Sequence, residues 1–289
     1  KQGLTESNRD KETWLITQRH RFIANQSNFK KIPGSPVAYW VSKSVFNDFM
    51  TLKPISAFGQ AKAGMTTGDN DRFLRLWTEV NNEKIGFGCP DSDAALKSKK
   101  KWFPYNKGGG YRKWYGLNDY VVLWEENGRA IKNATEKGRR IASVRSEYLY
   151  FRKSITWATL TSSSISCRYS EPGHLFDDKG SSCFVSDKEY DYVIALINSC
   201  VGNYFLNLLN PTISFQSGNI GALPINDAYF ENVTIKCNVT QNICICKNDW
   251  NSFEISWDFK THPLVRLRTA GGYTWGNNPP TMRIVSAYK

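Results

Sequence analysis

Ser182-Cys183-Phe184-Val185-Ser186-Asp187-Lys188-Glu189-Tyr190-Asp191-Tyr192-Val193-Ile194-Ala195-Leu196-Ile197-Asn198-Ser199-Cys200-Val201-Gly202-Asn203-Tyr204-Phe205-Leu206-Asn207-Leu208-Leu209 is where one kind of structure gives way to another. Ser182–Val185 reads as a strand. Ser186 or Asp187 then caps a helix running from Lys188. Tyr192, Leu196, Cys200, Tyr204 and Leu208 recur at helical spacing, with a division into two helices at Asn198-Ser199 and a stop at Pro211. Upstream the pattern is β. Phe73–Val80, Tyr120–Trp124, Ile155–Leu160 and Ile165–Tyr169 read as strands, with Gly173 and Gly180 at turns. The fold class is therefore α+β, a twisted, mainly antiparallel β region over 55–185 with helices 188–209 packed against it.

Outward from this core the signals are more local. Residues 6–24 read as a helix with Trp14, Leu15, Gln18, Phe22 and Ile23 near one face. Ile32-Pro33-Gly34-Ser35-Pro36 breaks it, Val37–Val41 reads as a strand, and a short helix follows near Val45–Met50. Ala63–Asn70 reads as a loop or hairpin tip and 81–101 as an exposed connection. Thr212–Phe215 and Ile220–Ile225 read as short extended pieces. After Asn226 the pattern is mixed, and Gly271-Gly272 and Asn277-Asn278-Pro279-Pro280 suggest a loose terminus.

The net charge of +12 is unevenly distributed. Residues 97–153 hold 15 Lys/Arg against 5 Asp/Glu, whereas 154–259 hold 5 against 11. A concentrated basic segment is the electrostatic footprint of a polyanion binder. Within it, Lys99–Gly116 alternates cations, aromatics and glycines, which suits nucleic acid. With 10 Trp, 14 Tyr and 16 Phe the chain has ample material for a core. No apolar run is long enough to span a bilayer and no signal-peptide pattern opens the chain, so no membrane partner and a cytoplasmic location are expected. The seven irregularly spaced cysteines read as reduced thiols, and Cys237, Cys244 and Cys246 lack the paired spacing of a zinc site. The sequons at Asn133, Asn232 and Asn238 are then chance matches.

Catalytic patterns are absent from the sequence. His20, His174 and His262 lie far apart and outside any ligand or nucleophile motif. Asp177-Asp178 beside Gly180 reads as a solvated turn, with a metal-dependent nuclease as the competing enzyme hypothesis. Ile85-Gly86-Phe87-Gly88 lacks the strand–helix context of a cofactor loop. Asn278-Pro279-Pro280 is followed by Thr281, so it lacks the stacking ring of an adenine methyltransferase motif and reads as a proline turn.

Several longer motifs occur in one order: Gly64–Trp77, Lys101–Gly109 with Arg112–Gly116, Gly173–Gly180, Asn198-Ser199, Asn210–Phe215, Leu223–Ile225 and Asp249–Phe259. From about Lys31 to Phe259 they resemble the C-terminal half of PglX-type adenine-specific DNA methyltransferases of bacterial phage-exclusion (BREX) systems, which are similar to the specificity regions of type IIG restriction enzymes. The resemblance implies an excised piece. Residues 1–54 would be a helix and linker from the end of the methyltransferase half, 55–225 the target recognition domain, and 226–289 a truncated C-terminal region. It also implies a division of labour, in which an N-terminal half binds S-adenosylmethionine, flips an adenine and methylates N6. This chain would hold no cofactor and no catalytic residue, and would grip double-stranded DNA and select the site. The implied partners are duplex DNA, the methyltransferase half and other phage-defence proteins. The competing class is an interaction module using the apolar face of 188–209.

Lys107, Arg112 and Lys113, set in a glycine loop, lead the phosphate candidates. Thr66, Thr67 and Asn70 form a Gly-bounded loop suited to a phosphate, or Asn70 to adenine, whereas Asp69 favours an internal turn. Arg72 and Arg75 have Glu79 and Glu83 as alternative partners, and at least one is expected to face DNA. Lys62 joins this group. Lys137, Arg139 and Arg140 form a second basic knot, and Ser214 and Gln216 lie in a loop that could reach base edges. Trp102, Phe103, Tyr105, Trp114 and Tyr115 are assigned to packing, because a duplex offers few unpaired bases to stack on.

Overall fold

The computed structural model describes residues 8–18, 23, 25–161 and 164–270. Its helices are α1 (Asn8–Ile16), α2 (Lys43–Thr51), α3 (Asn70–Phe73), α4 (Ser92–Lys97), α5 (Glu125–Lys132), α6 (Asp187–Asn198), α7 (Cys200–Leu209), α8 (Ser217–Gly221), α9 (Val233–Trp250) and α10 (Pro263–Ala270). Its strands are β1 (Lys53–Pro54), β2 (Gly59–Lys62), β3 (Leu74–Leu76), β4 (Trp102–Asn106), β5 (Tyr120–Leu123), β6 (Thr135–Glu136), β7 (Arg139–Arg140), β8 (Ser154–Trp157), β9 (Cys167–Ser170), β10 (Leu175–Phe176), β11 (Ser182–Val185) and β12 (Pro224–Ile225). The architecture is α+β. One four-stranded sheet, β2-β11-β8-β9, is antiparallel throughout. The other, β10-β4-β5-β3, is antiparallel except for β10 beside β4.

Each sheet has its own core. All four β8 residues are buried, and its Ile155 and Trp157 meet Tyr190, Val193, Ile194 and Ile197 of α6. Those four recur at i, i+3, i+4 and i+7, one face of a helix. The chain bends by 75° between α6 and α7. There the Ser199 hydroxyl accepts the Gly202 N–H at 3.0 Å, and a Cβ at Gly202 would lie 2.0 Å from the Leu196 carbonyl oxygen. A glycine therefore permits the break expected at Asn198-Ser199. Around β4 and β5, a second core gathers Phe103, Tyr105, Val122, Trp124, Phe151 and Phe176. Phe184 of β11 packs on Phe176 of this second core, 5.3 Å away, which ties the first sheet to it. No single helix among the described residues is long and apolar enough to cross a membrane.

Several local expectations are corrected. The first helix runs only from Asn8 to Ile16, with Leu15 and Ile16 exposed; Phe22 and His20 lie outside the described residues. Val37–Val41 is not a strand, because Ala38 and Val41 bond back to Pro36 and Ala38 in local turns. Phe73–Val80 is split. Phe73 ends α3, β3 keeps three residues, and a 3₁₀ turn follows. Of the two readings of Ala63–Asn70, loop and hairpin tip, the loop holds, and it is packed rather than projecting, since Gly64, Met65 and Thr67 are buried. Residues 81–101 are not merely an exposed connection either: Ile85, Cys89 and Ala95 are buried, and α4 lies within this segment. Ser217–Gly221 is helical. The mixed C-terminal pattern conceals the 18-residue α9, capped by Asn232, whose side chain accepts from Ile235 N–H. The terminal Gly271-Gly272 and Asn278-Pro279-Pro280 lie outside the described residues.

From α9 the chain returns across the β region. Trp77 donates its indole N–H to the Ile255 carbonyl at 2.8 Å. Trp257 packs on Phe87 and His174, and Trp250 lies under Arg112 and Gly116. Residues 249–257 thus brace the loops that carry the basic segment.

Candidate nucleic-acid interface

The glycine loop between β4 and β5 is built into the molecule from both ends. Phe103, Tyr105 and Tyr115 are buried, and Trp102 and Trp114 are half-buried. Trp114 extends the edge of β9, donating to the Cys167 carbonyl and accepting from Tyr169 N–H, each at 2.8 Å. Gly108 and Gly109 have φ of +98° and +126°, which a side chain tolerates poorly.

The three cations of this loop all have internal partners. Lys107 Nζ lies 2.6 Å from Oδ2 of Asp177, which is 1% exposed and also accepts from Tyr105 OH and Lys179 N–H. Burial pushes the Asp177 carboxyl up, against the pull of the Lys107 ammonium. Asp177 is thus no solvated turn residue, and among the described residues no cluster of His, Cys, Asp and Glu could hold a metal. Arg112 bonds Asp249 at 2.7 Å and the Tyr115 carbonyl at 2.8 Å, with its guanidinium over Trp250. Lys113 donates to the Asn198 carbonyl at 2.7 Å. Asn198, which is buried, pairs both its side-chain polar atoms with the Cys167 backbone, so Lys113, α6 and β9 meet at one residue. Below the loop lies Arg168, 2% exposed, with Nη1 unpartnered; burial lowers its pKa to about 10.

Other candidates are similarly engaged. Thr67, buried, donates its hydroxyl to Asn70 Oδ1 at 2.8 Å, and Asp69 accepts Arg72 N–H at 3.0 Å as the cap of α3. Arg75 bonds the Asp71 and Leu74 carbonyls and lies over Trp102, not on Glu79 or Glu83. Gln216 donates to the Ser214 hydroxyl at 2.6 Å.

The remaining candidates come together in a second place. Residues 60–68 run beside 141–148. Tyr148 OH bonds the Gln60 side chain at 2.7 Å, and Ser146 Oγ bonds the Ala63 carbonyl at 3.2 Å. Thr66 and Ser143 exchange two backbone bonds of 2.9 Å. Gly68, φ +76°, lies so close to Ile141 that a Cβ would be 2.5 Å from its carbonyl oxygen. The β6–β7 hairpin projects from this seam. Lys62, Thr66, Arg139 and Arg140 are exposed here, together with Lys137. Arg145, which the sequence reading missed, is exposed beside them, its Nε on the Ser143 hydroxyl at 3.1 Å. Arg72 lines an open cleft that reaches Thr135 at the foot of the hairpin. On the other flank, Lys62 shares an open groove of about 560 Å³ with Gln60, Ser217 and Gly218. Among the described residues no carboxylate forms an ion pair with Lys62, Arg72, Lys137, Arg139, Arg140 or Arg145. The signal for Arg145 was its place in the run Arg139, Arg140, Ser143, Arg145, one basic strip leading into the seam.

A cofactor loop does not fit Ile85–Gly88. It follows a 3₁₀ turn instead of a strand, and a Cβ at Gly86 would lie 2.3 Å from the Phe103 ring, leaving no cradle for a ligand.

No family model matches the chain. It is 41% identical over 253 residues, 84% of its length, to the adenine-specific methyltransferase PglX of Lacticaseibacillus casei (strain Zhang), of which it covers 20%. It is 34% identical over 282 residues, 95% of its length, to the adenine-specific methyltransferase BrxX of Escherichia coli O9:H4 (strain HS), of which it covers 22%. The chain spans about a fifth of the length of these relatives.

Proposed function

We propose that this chain is the DNA target recognition part of a longer adenine-N6 DNA methyltransferase of a bacterial phage-defence system. It binds duplex DNA through the seam of residues 60–70 and 135–148 and selects the site. The observation that carries this reading is a cluster of exposed cations at that seam, Lys62, Arg72, Lys137, Arg139, Arg140 and Arg145, none of which forms an ion pair with a carboxylate among the described residues. Unpaired guanidinium and ammonium groups on one surface bind phosphates by releasing counterions. The reaction is that of the matched relatives, both adenine-specific methyltransferases. The rest of the parent would hold S-adenosylmethionine and the flipped adenine in the cytoplasm, and no step of the transfer is assigned to residues of this chain.

Residues 55–225 serve as the recognition body in this reading, and 226–259 brace it. Lys107, Arg112 and Lys113 then act chiefly by shaping the loop. A second reading, docking of the catalytic half or of other defence proteins, is favoured by Val37, Tyr39, Trp40 and Met50, which stay exposed near the start of the chain. The face of 188–209 that carries Tyr190, Val193, Ile194, Ile197, Phe205 and Leu206, by contrast, is buried in the chain's own core, while Cys200, Val201 and Tyr204 stay exposed.

The test is a salt titration of duplex binding. The log–log slope should equal about one unit per phosphate contact, and Lys62→Ala with Arg145→Ala should lower it by about two. An unchanged slope and affinity in that double variant would sink the assignment of the seam.

A further inference from the structure

The β6–β7 hairpin has no packing role of its own. Thr135 through Arg140 are all exposed, and among the described residues its two strands pair only with each other: Thr135 with Arg140 and Glu136 with Arg139. An isolated two-stranded ribbon is marginally stable in water, so this one must be held at its root. Ala134, Ala142 and Ile131 are buried there, Ile141 N–H bonds the Ala134 carbonyl at 3.2 Å, and Gly68 abuts Ile141 from the other side. The turn is of the primed type that suits a hairpin, with φ of +49° at Lys137 and +77° at Gly138. Asn or Gly adopts that first position at lower steric cost than Lys does. The tip therefore carries a strained cation, aimed away from the protein.

Neighbouring residues of a strand face opposite sides. Arg139 and Arg140 thus point to the two faces of the ribbon, one beside Glu136 and the other beside Thr135. Glu136 lies opposite Arg139, and among the described residues the two side chains form no ion pair. From root to tip, three residues extend roughly 10 Å, and the strands lie about 4.8 Å apart. The major groove is about 12 Å wide and 8.5 Å deep, so it admits such a ribbon; the minor groove, about 6 Å wide, does not admit one with arginines on both faces.

We propose that the Thr135–Arg140 hairpin enters the major groove, tip first, with Lys137, Arg139 and Arg140 reaching base edges and the two facing phosphate walls. This rests on the reading of the chain as a duplex binder, and deepens it by assigning site reading to the hairpin and the sequence-independent grip to Lys62 and Arg145. Arginine pairs with the N7 and O6 acceptors of guanine, both displayed in the major groove.

The experiment uses duplexes that the wild-type chain selects from a random-sequence pool, synthesised with ordinary purines or with 7-deazapurines. The latter lack only the N7 acceptor and leave the minor groove and the phosphates intact. Wild-type affinity should fall about tenfold on the 7-deaza duplex. The variant Arg139→Ala with Arg140→Ala should bind the ordinary duplex weakly and show no further loss on the modified one. Its melting temperature should match the wild type, because both side chains are exposed. Indifference of the wild type to 7-deazapurines, with displacement by the minor-groove ligand netropsin, overturns the proposal in favour of the minor groove. Indifference to both leaves phosphate contact alone and also overturns it. In both of those cases a loss of binding in the Lys62→Ala, Arg145→Ala variant would leave the duplex-binding reading standing. Failure of the wild type to retain any duplex from the pool overturns both.

Discussion

The loop of residues 107–113 and the seam of 60–70 with 135–148 carry similar charge and put it to different use. In the loop every cation has an internal partner: Lys107 on Asp177, Arg112 on Asp249, Lys113 on the Asn198 carbonyl. On the seam Lys62, Arg139, Arg140 and Arg145 have no carboxylate partner among the described residues. A basic run in a sequence is a sum of charges, and only the residual, uncompensated charge can attract a phosphate. The glycines of the loop point the same way, since they admit close backbone packing there: a Cβ at Gly108 would lie 2.9 Å from the Lys179 carbonyl oxygen.

The comparison can be broken first at the root that both regions share. Gly64 donates to the Asp177 carbonyl at 3.2 Å, and a Cβ there would lie 1.8 Å from the Phe176 carbonyl oxygen. Gly64→Ala should cost more than about 3 kcal/mol of stability, read from chemical denaturation, because backbone must move. A loss below about 1 kcal/mol would mean that the two regions are not rigidly joined.

Lys107→Ala comes next, at about 2–3 kcal/mol near neutral pH, because it strips a nearly buried carboxylate of its counter-charge. The pH dependence has a definite sign. Burial already holds the Asp177 pKa above its ordinary value, and loss of the ammonium raises it further. A raised folded-state pKa gives stability that is present below the unfolded value and lost as pH rises through the folded one. The deficit of the variant should therefore shrink on acidification toward about pH 4. A constant deficit across that range would show that Lys107 acts by packing rather than by charge.

Arg112→Ala should cost about 1 kcal/mol, through the hydrogen bond to the Tyr115 carbonyl and the Trp250 contact, with the ion pair to the exposed Asp249 contributing little. Duplex affinity should stay within twofold of wild type. A steep loss of affinity at unchanged stability would return Arg112 to the interface. Smallest for folding is Lys62→Ala with Arg145→Ala, within about 0.5 kcal/mol of wild type by thermal melting, as for most surface substitutions. Its whole effect is expected in binding.

Much of the framework was legible. The strand at Ser182–Val185, the helix after Ser186 and the break at Asn198-Ser199 all follow from local rules of spacing and capping, and all are present. By contrast, α9 was hidden by its own composition. Val233, Thr234, Ile235, Val239, Thr240, Ile243 and Ile245 are β-branched and lower helix propensity. Packing of α9 on α6 and the Asn232 cap outweigh that preference. Val37–Val41 erred the other way, with a strand-like composition but no neighbouring strand to pair with.

For the candidate interface, the sequence by itself determined that positive charge is concentrated in 97–153, and that two separate stretches, 62–75 and 137–140, carry polar and basic groups. Charge and hydrophobic period are properties of a residue and its near neighbours, so they survive without a fold. Only the tertiary structure decided which cations meet a carboxylate or a carbonyl. Lys107 meets Asp177 across 70 positions and Arg112 meets Asp249 across 137, while Thr66 is brought against Ser143 so that two stretches become one surface. Compensation of charge falls off with distance in space, not along the chain, and no local rule reports it.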